Sequence, residues 1–366
     1  MSVRRLLSLP LKNYPGIPPI LCAAHAVDSK RSLPPDSVMA PVWSPFTTVA
    51  PMSSIPIINI EPLLHGEHGQ RQVAKEIGDA CRGIGFFYIT GHGVAPTDLQ
   101  AAFDKSAEFF KSPASVKTRA AFVGPGGNRG YIKLGEETLD PSKPPDMKEA
   151  FNIGLELAPD DPDLLAKKPF RAPNVWPDVP GFRTTMLAYF RQMWDLGRTL
   201  HRAFALDLGL ESSYFDDKFK KPMATLRLLH YPPIDKPLDG GQLGAGEHTD
   251  YGNVTLLATD ASGGLMVRER GGRWLDAPVM KGAYVCNIGD CLMRWTNDTY
   301  VSTPHKVVTP LGKDRYSIAF FLDPDPDAVV ACLPTCIDAK RSAKYPPISG
   351  ADFLRSRLEP TYRGTG

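Results

Sequence analysis

Apolar and polar positions change period along the chain. Val73, Ile77, Cys81 and Ile84 recur every three or four residues, the spacing of one helix face, and Gly83 and Gly85 mark where that helix ends. A second helix is expected with Thr97 as its cap and Leu99, Phe103, Ser106 and Phe110 on one face. A third, longer one fits 182–208, where Met186, Phe190, Met193, Gly197, Leu200 and Phe204 form a core stripe. Short β-branched or aromatic runs at 55–60 and 86–89 read as strands, the second broken by Gly91-His92-Gly93. After Pro222 the pattern shortens to strand-like runs at 225–231, 254–259, 264–267, 284–288, 306–309 and 316–322, separated by turn residues. Residues 124–145 are rich in Gly and Pro and read as a long loop of the kind that often carries function.

This order of elements, helices first and strands after, predicts an α+β fold whose β part closes as an antiparallel jelly roll. The chain divides into an extension over 1–54, an amino-terminal region over 55–180, and a long helix plus strand-rich core over 181–362. The extension is proline-rich and its only acids are Asp28 and Asp36, against Arg4, Arg5, Lys12, Lys30 and Arg31. Three readings fit it: a disordered segment, a transit peptide, or an over-long start with translation beginning at Met52.

Composition narrows the class. Of 366 residues, 42% are hydrophobic and 22% charged, a globular profile, and a net charge of +2 without a basic run gives no nucleic-acid footprint. No stretch approaches the ~20 apolar residues of a spanning helix. The six cysteines (22, 81, 286, 291, 332 and 336) form no compact framework, so free thiols in a reducing compartment are expected rather than a four-thiolate zinc site. The expected location is cytoplasmic, or an organelle if 1–54 is a transit peptide, and the expected state is a monomer acting on a small molecule.

Candidate chemistry centres on Gly246-Glu247-His248-Thr249-Asp250-Tyr251-Gly252. In extended chain, side chains two apart point the same way, so His248 and Asp250 would project together. A second histidine would complete a facial triad of two imidazoles and one carboxylate, which leaves coordination positions open on non-haem iron(II). Of the eight histidines (25, 65, 68, 92, 201, 230, 248 and 305), His305 alone follows Asp250, 55 positions later (305 − 250), at the start of a predicted strand. A His-x-Asp by itself is more often a surface pair or a cap. What raises it here is a second constellation: Arg315, Ser317, Ala319 and Phe321 share one face of a strand, and Arg227, Leu229 and Tyr231 share one face of another. Arginine and serine grip a carboxylate, with the Tyr231 hydroxyl as a third donor, and a buried arginine calls for an anion.

At these residues the sequence resembles the iron(II)/2-oxoglutarate-dependent dioxygenases, in the isopenicillin N synthase-like branch. The resemblance runs from about Ser54 to Tyr362. Its motifs are Ile55-Pro56-Ile57-Ile58, Gly85-Phe86-Phe87-Tyr88-Ile89-Thr90-Gly91-His92-Gly93-Val94, His248-Thr249-Asp250, Asn287-Ile288-Gly289-Asp290, Trp295-Thr296-Asn297-Asp298, Pro304-His305-Lys306-Val307 and Arg315-Tyr316-Ser317. Leu229-His230-Tyr231-Pro232 departs from the usual Asn-Tyr-Tyr-Pro, and His305-Lys306-Val307 from His-Arg-Val. Asn128-Arg129-Gly130-Tyr131 and Arg294-Trp295-Thr296-Asn297-Asp298-Thr299 look most similar to thymine 7-hydroxylases and their microbial homologues.

The resemblance implies a double-stranded β-helix with Fe(II) bound by His248, Asp250 and His305, and with Arg315, Ser317 and Tyr231 on the distal carboxylate of 2-oxoglutarate. It implies consumption of O2, release of succinate and CO2, ascorbate as a reductant, and oxidation of a small organic molecule. Asn128, Arg129, Tyr131, Arg294, Trp295 and Phe321 are the expected substrate contacts. Other readings share the triad: an iron oxidase that does not use 2-oxoglutarate, and a jelly roll that binds metal and ligand without turnover. A zinc hydrolase is a further one, although no helical His-Glu-x-x-His is present.

Overall fold

The period-2 runs of the carboxyl-terminal half and the period-3.6 runs of the amino-terminal half meet across one large sheet. A computed structural model describes residues 55–362 apart from 67, 68, 141, 237, 239 and 240. The expectations for the 1–54 extension, with Cys22 and His25, lie outside the described residues, as does His68. The described residues fall within one compact unit.

The chain begins with β1 (Ile57–Asn59), α1 (Glu61–His65), α2 (Gln70–Gly83), β2 (Phe86–Thr90), α3 (Pro96–Lys111) and α4 (Ala114–Arg119). Next come β3 (Gly130–Ile132), β4 (Glu149–Gly154), α5 (Pro162–Leu165) and the long α6 (Phe182–Asp207). The strand-rich part holds β5 (Thr225–Tyr231), β6 (Ala245–His248), β7 (Val254–Thr259), β8 (Leu265–Arg268), β9 (Trp274–Asp276) and β10 (Tyr284–Ile288). It continues with α7 (Asp290–Trp295), β11 (His305–Val307), β12 (Arg315–Leu322), β13 (Val329–Val330), β14 (Ile348–Ser349) and α8 (Gly350–Tyr362).

Eight strands form one sheet in the order β1-β2-β10-β7-β12-β5-β4-β3, and four form a second in the order β6-β11-β8-β9. Every pairing is antiparallel except β1 with β2. Strands from both sides of position 180 therefore share the large sheet. Alternation decides which face each residue serves. Ile318 and Phe320 of β12, Leu226 and Leu228 of β5, and Cys286 and Ile288 of β10 join the core under α2, α3 and α6. The opposite face turns Leu229, Val285 and Ala319 toward Ala245, Leu265, Val267 and Val307 of the smaller sheet.

Two glycines let α6 sit close to α2 and to β12. A Cβ on Gly78 of α2 would lie 2.0 Å from the Asp207 carboxyl carbon, and one on Gly197 of α6 would lie 2.6 Å from Leu322 Cδ2. The stripe expected on 182–208 is buried as predicted.

Several local expectations need correction. Ala95, extended and followed by Pro96, begins α3, and Thr97 makes no capping bond: proline at the first helical position supplies the preset φ and needs no donor. The loop over 124–145 contains β3, and β4 follows it as an edge pair the pattern did not signal. Asp290 opens α7 rather than a turn. The five described cysteines are free, with Cys81, Cys286, Cys291 and Cys336 buried, and none joins a metal-ligating cluster among the described residues. No helix among the described residues is long and apolar enough to cross a membrane.

Candidate metal centre and active-site cavity

Two strand ends and one turn bring the triad together. His248 closes β6 and His305 opens β11, and the two are paired directly across the small sheet. Asp250 lies two residues past β6, in a turn fixed from outside: Asp290 N–H donates to the Asp250 carbonyl at 2.8 Å, and Gly289 N–H to the Asn253 carbonyl at 3.0 Å. That approach requires glycine at 289, because a Cβ there would lie 2.3 Å from the Gly252 carbonyl oxygen.

His248, Asp250 and His305 each offer a ligand atom within 4.8 Å of the others. Asp250 Oδ1 lies 3.7 Å from His248 Nε2 and 3.6 Å from His305 Nε2. The other ring nitrogens are already engaged: Nδ1 of His248 faces the Gly246 carbonyl at 2.7 Å, and Nδ1 of His305 faces the Thr303 carbonyl at 3.1 Å. Backbone acceptors at Nδ1 select the tautomer whose Nε2 lone pair points at the shared space, as metal-ligating imidazoles require. Asp250 Oδ2 accepts from Asn287 Nδ2 at 2.7 Å and from the Thr255 hydroxyl.

Electrostatics agree with a cation at this point. Burial, then the neighbouring His305, push His248 down to about 3, keeping it neutral. Burial raises Asp250, but His305 and His248, with the Asn287 and Thr255 hydrogen bonds, outweigh it and hold the carboxyl below its usual range. A neutral imidazole and an ionised carboxylate are the ligand forms that bind metal. The remaining described histidines are committed elsewhere: His201 between Gly197 and Asn253, His230 between Glu149 and Asp314, His92 against the Gly282 carbonyl, and His65 at the exposed end of α1.

The triad borders a cavity between the two sheets with about 1150 Å³ of empty space, counting its open mouth. Arg315, Ser317, Ala319 and Phe321 of β12 and Arg227, Leu229 and Tyr231 of β5 all line it, so both strand faces point as alternation predicted. Arg315 pairs across the sheet with Tyr231. It is 1% exposed; its Nε donates to the Gly263 carbonyl at 2.7 Å, its Nη1 donates to Ser317 Oγ at 3.2 Å, and the guanidinium lies 4.5 Å from the centre of the Tyr231 ring. No acid is paired with it among the described residues. A buried guanidinium without a counter-ion is a costly arrangement that an incoming carboxylate relieves.

Two of the six expected substrate contacts reach the cavity. Asn128, at φ 52°, donates to Thr225 Oγ1 and accepts from Asn152, and Phe321 lines the wall. The other four are corrected. Arg129 turns back to the Gly127 and Asn128 carbonyls, and Tyr131 bonds Glu149 in the core. Arg294 stacks on Tyr345 and bonds the Pro346 carbonyl, while Trp295 is fully buried against Phe215. The Trp295-Thr296-Asn297-Asp298 run is architectural: Asn297 donates to the Cys336 and Ser342 carbonyls. Pattern reading missed Thr255, Asn287 and Asp323, and the wall supplied by Leu354 and Leu358 of α8.

Comparison with known proteins fits this geometry. The family model for the N-terminal region of a non-haem dioxygenase in morphine synthesis matches residues 55–179, and that of the 2OG-Fe(II) oxygenase superfamily matches 222–324. The 2-oxoglutarate-Fe(II) type oxidoreductase hxnY of Emericella nidulans is 37% identical over 316 residues, which cover 84% of this chain and 90% of that protein. The chain belongs to the 2OG-Fe(II) oxygenase superfamily. This oxygenase is also 36% identical to the 2-oxoglutarate-dependent dioxygenase citB of Monascus ruber, over 74% of this chain and 84% of the relative. The crystal structure of full-length Neurospora crassa thymine 7-hydroxylase with 2-oxoglutarate and thymine matches with a TM-score of 0.76 and 36% identity, covering 84% of this chain and 97% of that one. The chain is thus an Fe(II)- and 2-oxoglutarate-dependent oxidoreductase, which favours that reading over the zinc hydrolase, the 2-oxoglutarate-independent oxidase and the non-catalytic jelly roll.

Proposed function

We propose that this oxygenase uses O2 and 2-oxoglutarate to hydroxylate a small organic molecule, with His248, Asp250 and His305 holding Fe(II) and Arg315, Ser317 and Tyr231 holding the distal carboxylate of 2-oxoglutarate. The two sheets are read as the halves of a distorted jelly roll. The observation that carries the assignment is the buried pair of features on one cavity: two imidazoles whose Nε2 atoms converge on Asp250 Oδ1, and a guanidinium with no acid paired to it among the described residues. Two nitrogens and one carboxylate oxygen on one side of a site suit ferrous iron with open positions.

When bound, iron and 2-oxoglutarate supply the oxidation, in which 2-oxoglutarate becomes succinate and CO2 and one oxygen atom passes to the substrate. The chain's own residues orient and shelter that chemistry. Gly246 and Thr303 carbonyls fix the imidazoles, Asn287 and Thr255 fix the carboxylate, and Arg315 sets the depth of the cosubstrate. Phe86, Leu257, Leu265 and Val307 keep the wall around the triad apolar and exclude water.

The test is succinate release by iron-loaded protein in the presence of O2 and 2-oxoglutarate, screened against small molecules that include thymine and 5-formyluracil, the ligands of the Neurospora structures. Substrate-stimulated succinate formation that stops without iron or 2-oxoglutarate is the expected result. Oxidised product formed at full rate without 2-oxoglutarate would overturn it.

A further inference from the structure

Two charged side chains lining the cavity, Arg315 and Asp323, have no charged partner among the described residues; the others are paired. Glu137 bonds Arg227 and lies 3.5 Å from Lys148, which also bonds Asp146. Asp250 faces the two imidazoles, and Arg315 is the proposed anchor of 2-oxoglutarate. Asp323 remains. It is 5% exposed and lines the cavity, and no hydrogen bond or ion pair reaches its carboxylate from the described residues. Burial first, and then Asp250, push its carboxyl up to about 7, which is what an uncompensated acid in an apolar wall undergoes.

Its place in the fold is specific. Arg315, Ser317, Ala319, Phe321 and Asp323 form one row, with the carboxylate directly after β12 ends at Leu322. The two ends of the row are eight residues apart (323 − 315), roughly 26 Å of extended chain. Asp323 is therefore at the other end of this row from the proposed cosubstrate anchor. Room for it comes from Gly252, where a Cβ would lie 2.8 Å from Asp323 Oδ1. Around it the wall is apolar and aromatic: Tyr251, Phe321, Leu354 and Leu358. A buried acceptor that no donor among the described residues satisfies is stabilised when a ligand brings one.

We propose that Asp323 is a specificity residue that accepts a hydrogen bond from a nitrogen donor on the substrate, a ring N–H or an ammonium, carried on a flat or apolar body. This rests on the oxygenase reading of the same cavity. It makes nitrogenous compounds the substrate class and sets the donor end against Asp323, away from Arg315.

The experiment is anaerobic calorimetry on the full chain loaded with Fe(II) and 2-oxoglutarate, using two matched pairs of probes: thymine against 1,3-dimethylthymine, and benzylamine against benzyl methyl ether. Wild type, Asp323→Asn and Asp323→Leu are compared after their unfolding temperatures show that each is folded. At least one donor-bearing probe is expected to bind about tenfold or more tightly than its blocked partner in the wild type, and to lose that advantage in Asp323→Leu. An advantage kept by Asp323→Asn identifies a neutral N–H, whose amide acceptor survives. One lost in both variants identifies an ammonium. Equal binding within both pairs, or an advantage that persists in Asp323→Leu, overturns the assignment. Iron and 2-oxoglutarate binding by the wild type, titrated separately, tests the oxygenase reading on its own, so the two failures are told apart.

Discussion

Asn287 donates its side-chain amide to Asp250 Oδ2 at 2.7 Å, which leaves Oδ1 of the same carboxylate facing both imidazoles. Asn287 sits in a strand that is buried from end to end. Together with the Thr255 hydroxyl on the same oxygen, it sets which oxygen is free to bind and which way the carboxylate is rotated. Replacing it with Leu should weaken Fe(II) or Mn(II) binding by about 10- to 100-fold while the fold persists. Competitive metal titration measures this, and unchanged affinity would show that Thr255 alone orients the carboxylate.

Removal of a ligand is more severe. His305→Ala should fail to retain Fe(II) after desalting and should lose 2-oxoglutarate turnover, with its far-ultraviolet spectrum unchanged. Phe86, whose ring meets that of His305 edge-on at 5.3 Å, would border the space left behind. Stoichiometric iron on the variant, by elemental analysis, would remove His305 from the ligand set.

The Arg315 clamp predicts a separation of effects. Arg315→Leu should weaken 2-oxoglutarate binding by about 30-fold or more, on the order of 2 kcal/mol, because a buried charged pair loses one partner. Iron occupancy should stay at the wild-type level, since the guanidinium is bonded to Gly263 and Ser317 rather than to the triad. Equal loss of both would mean that the substitution damages the cavity as a whole.

His201 gives a stability prediction far from the chemistry. Its Nδ1 donates to the Gly197 carbonyl and its Nε2 accepts from Asn253, and burial pushes it down to about 4. The folded state keeps it neutral while the unfolded chain protonates it near 6.5, so its contribution is fully present above that pH and shrinks as pH falls toward 4. Between pH 7 and pH 5 the wild type should lose about 2 kcal/mol more than His201→Gln in urea unfolding. Parallel losses in the two proteins would assign the pH dependence to other groups.

Much of this architecture was legible because periodicity and burial agree. α6 repeats cleanly, the runs at β5, β7, β10 and β12 are dense in apolar residues, and the cavity faces of β5 and β12 follow from the two-residue period of a strand. β4 escaped because Glu149, Asn152 and Gly154 interrupt its apolar run, although all six of its residues are buried. The triad was readable from spacing and from the small number of histidines. Residues that act through others were not: Asn287 and Thr255 look like ordinary strand residues until their amide and hydroxyl are seen to reach Asp250. The signal for Asn287 was an amide inside an otherwise apolar strand, which must find a partner. Trp295 and Arg294 misled in the opposite sense, since aromatic and cationic side chains beside a motif suggest a pocket, yet here Trp295 packs against Phe215 and Arg294 holds Tyr345 and the Pro346 carbonyl.

One oxygen atom links the last helix to the turn that carries Asp250. Arg357 of α8 donates to Asp290 Oδ2 at 2.6 Å, and Thr249, the residue between His248 and Asp250, donates to the same oxygen at 3.2 Å. Leu354 and Leu358 of that helix also wall the cavity. Whatever displaces α8 therefore changes two things at once: the shape that a guest molecule meets, and the tether on the turn beneath it.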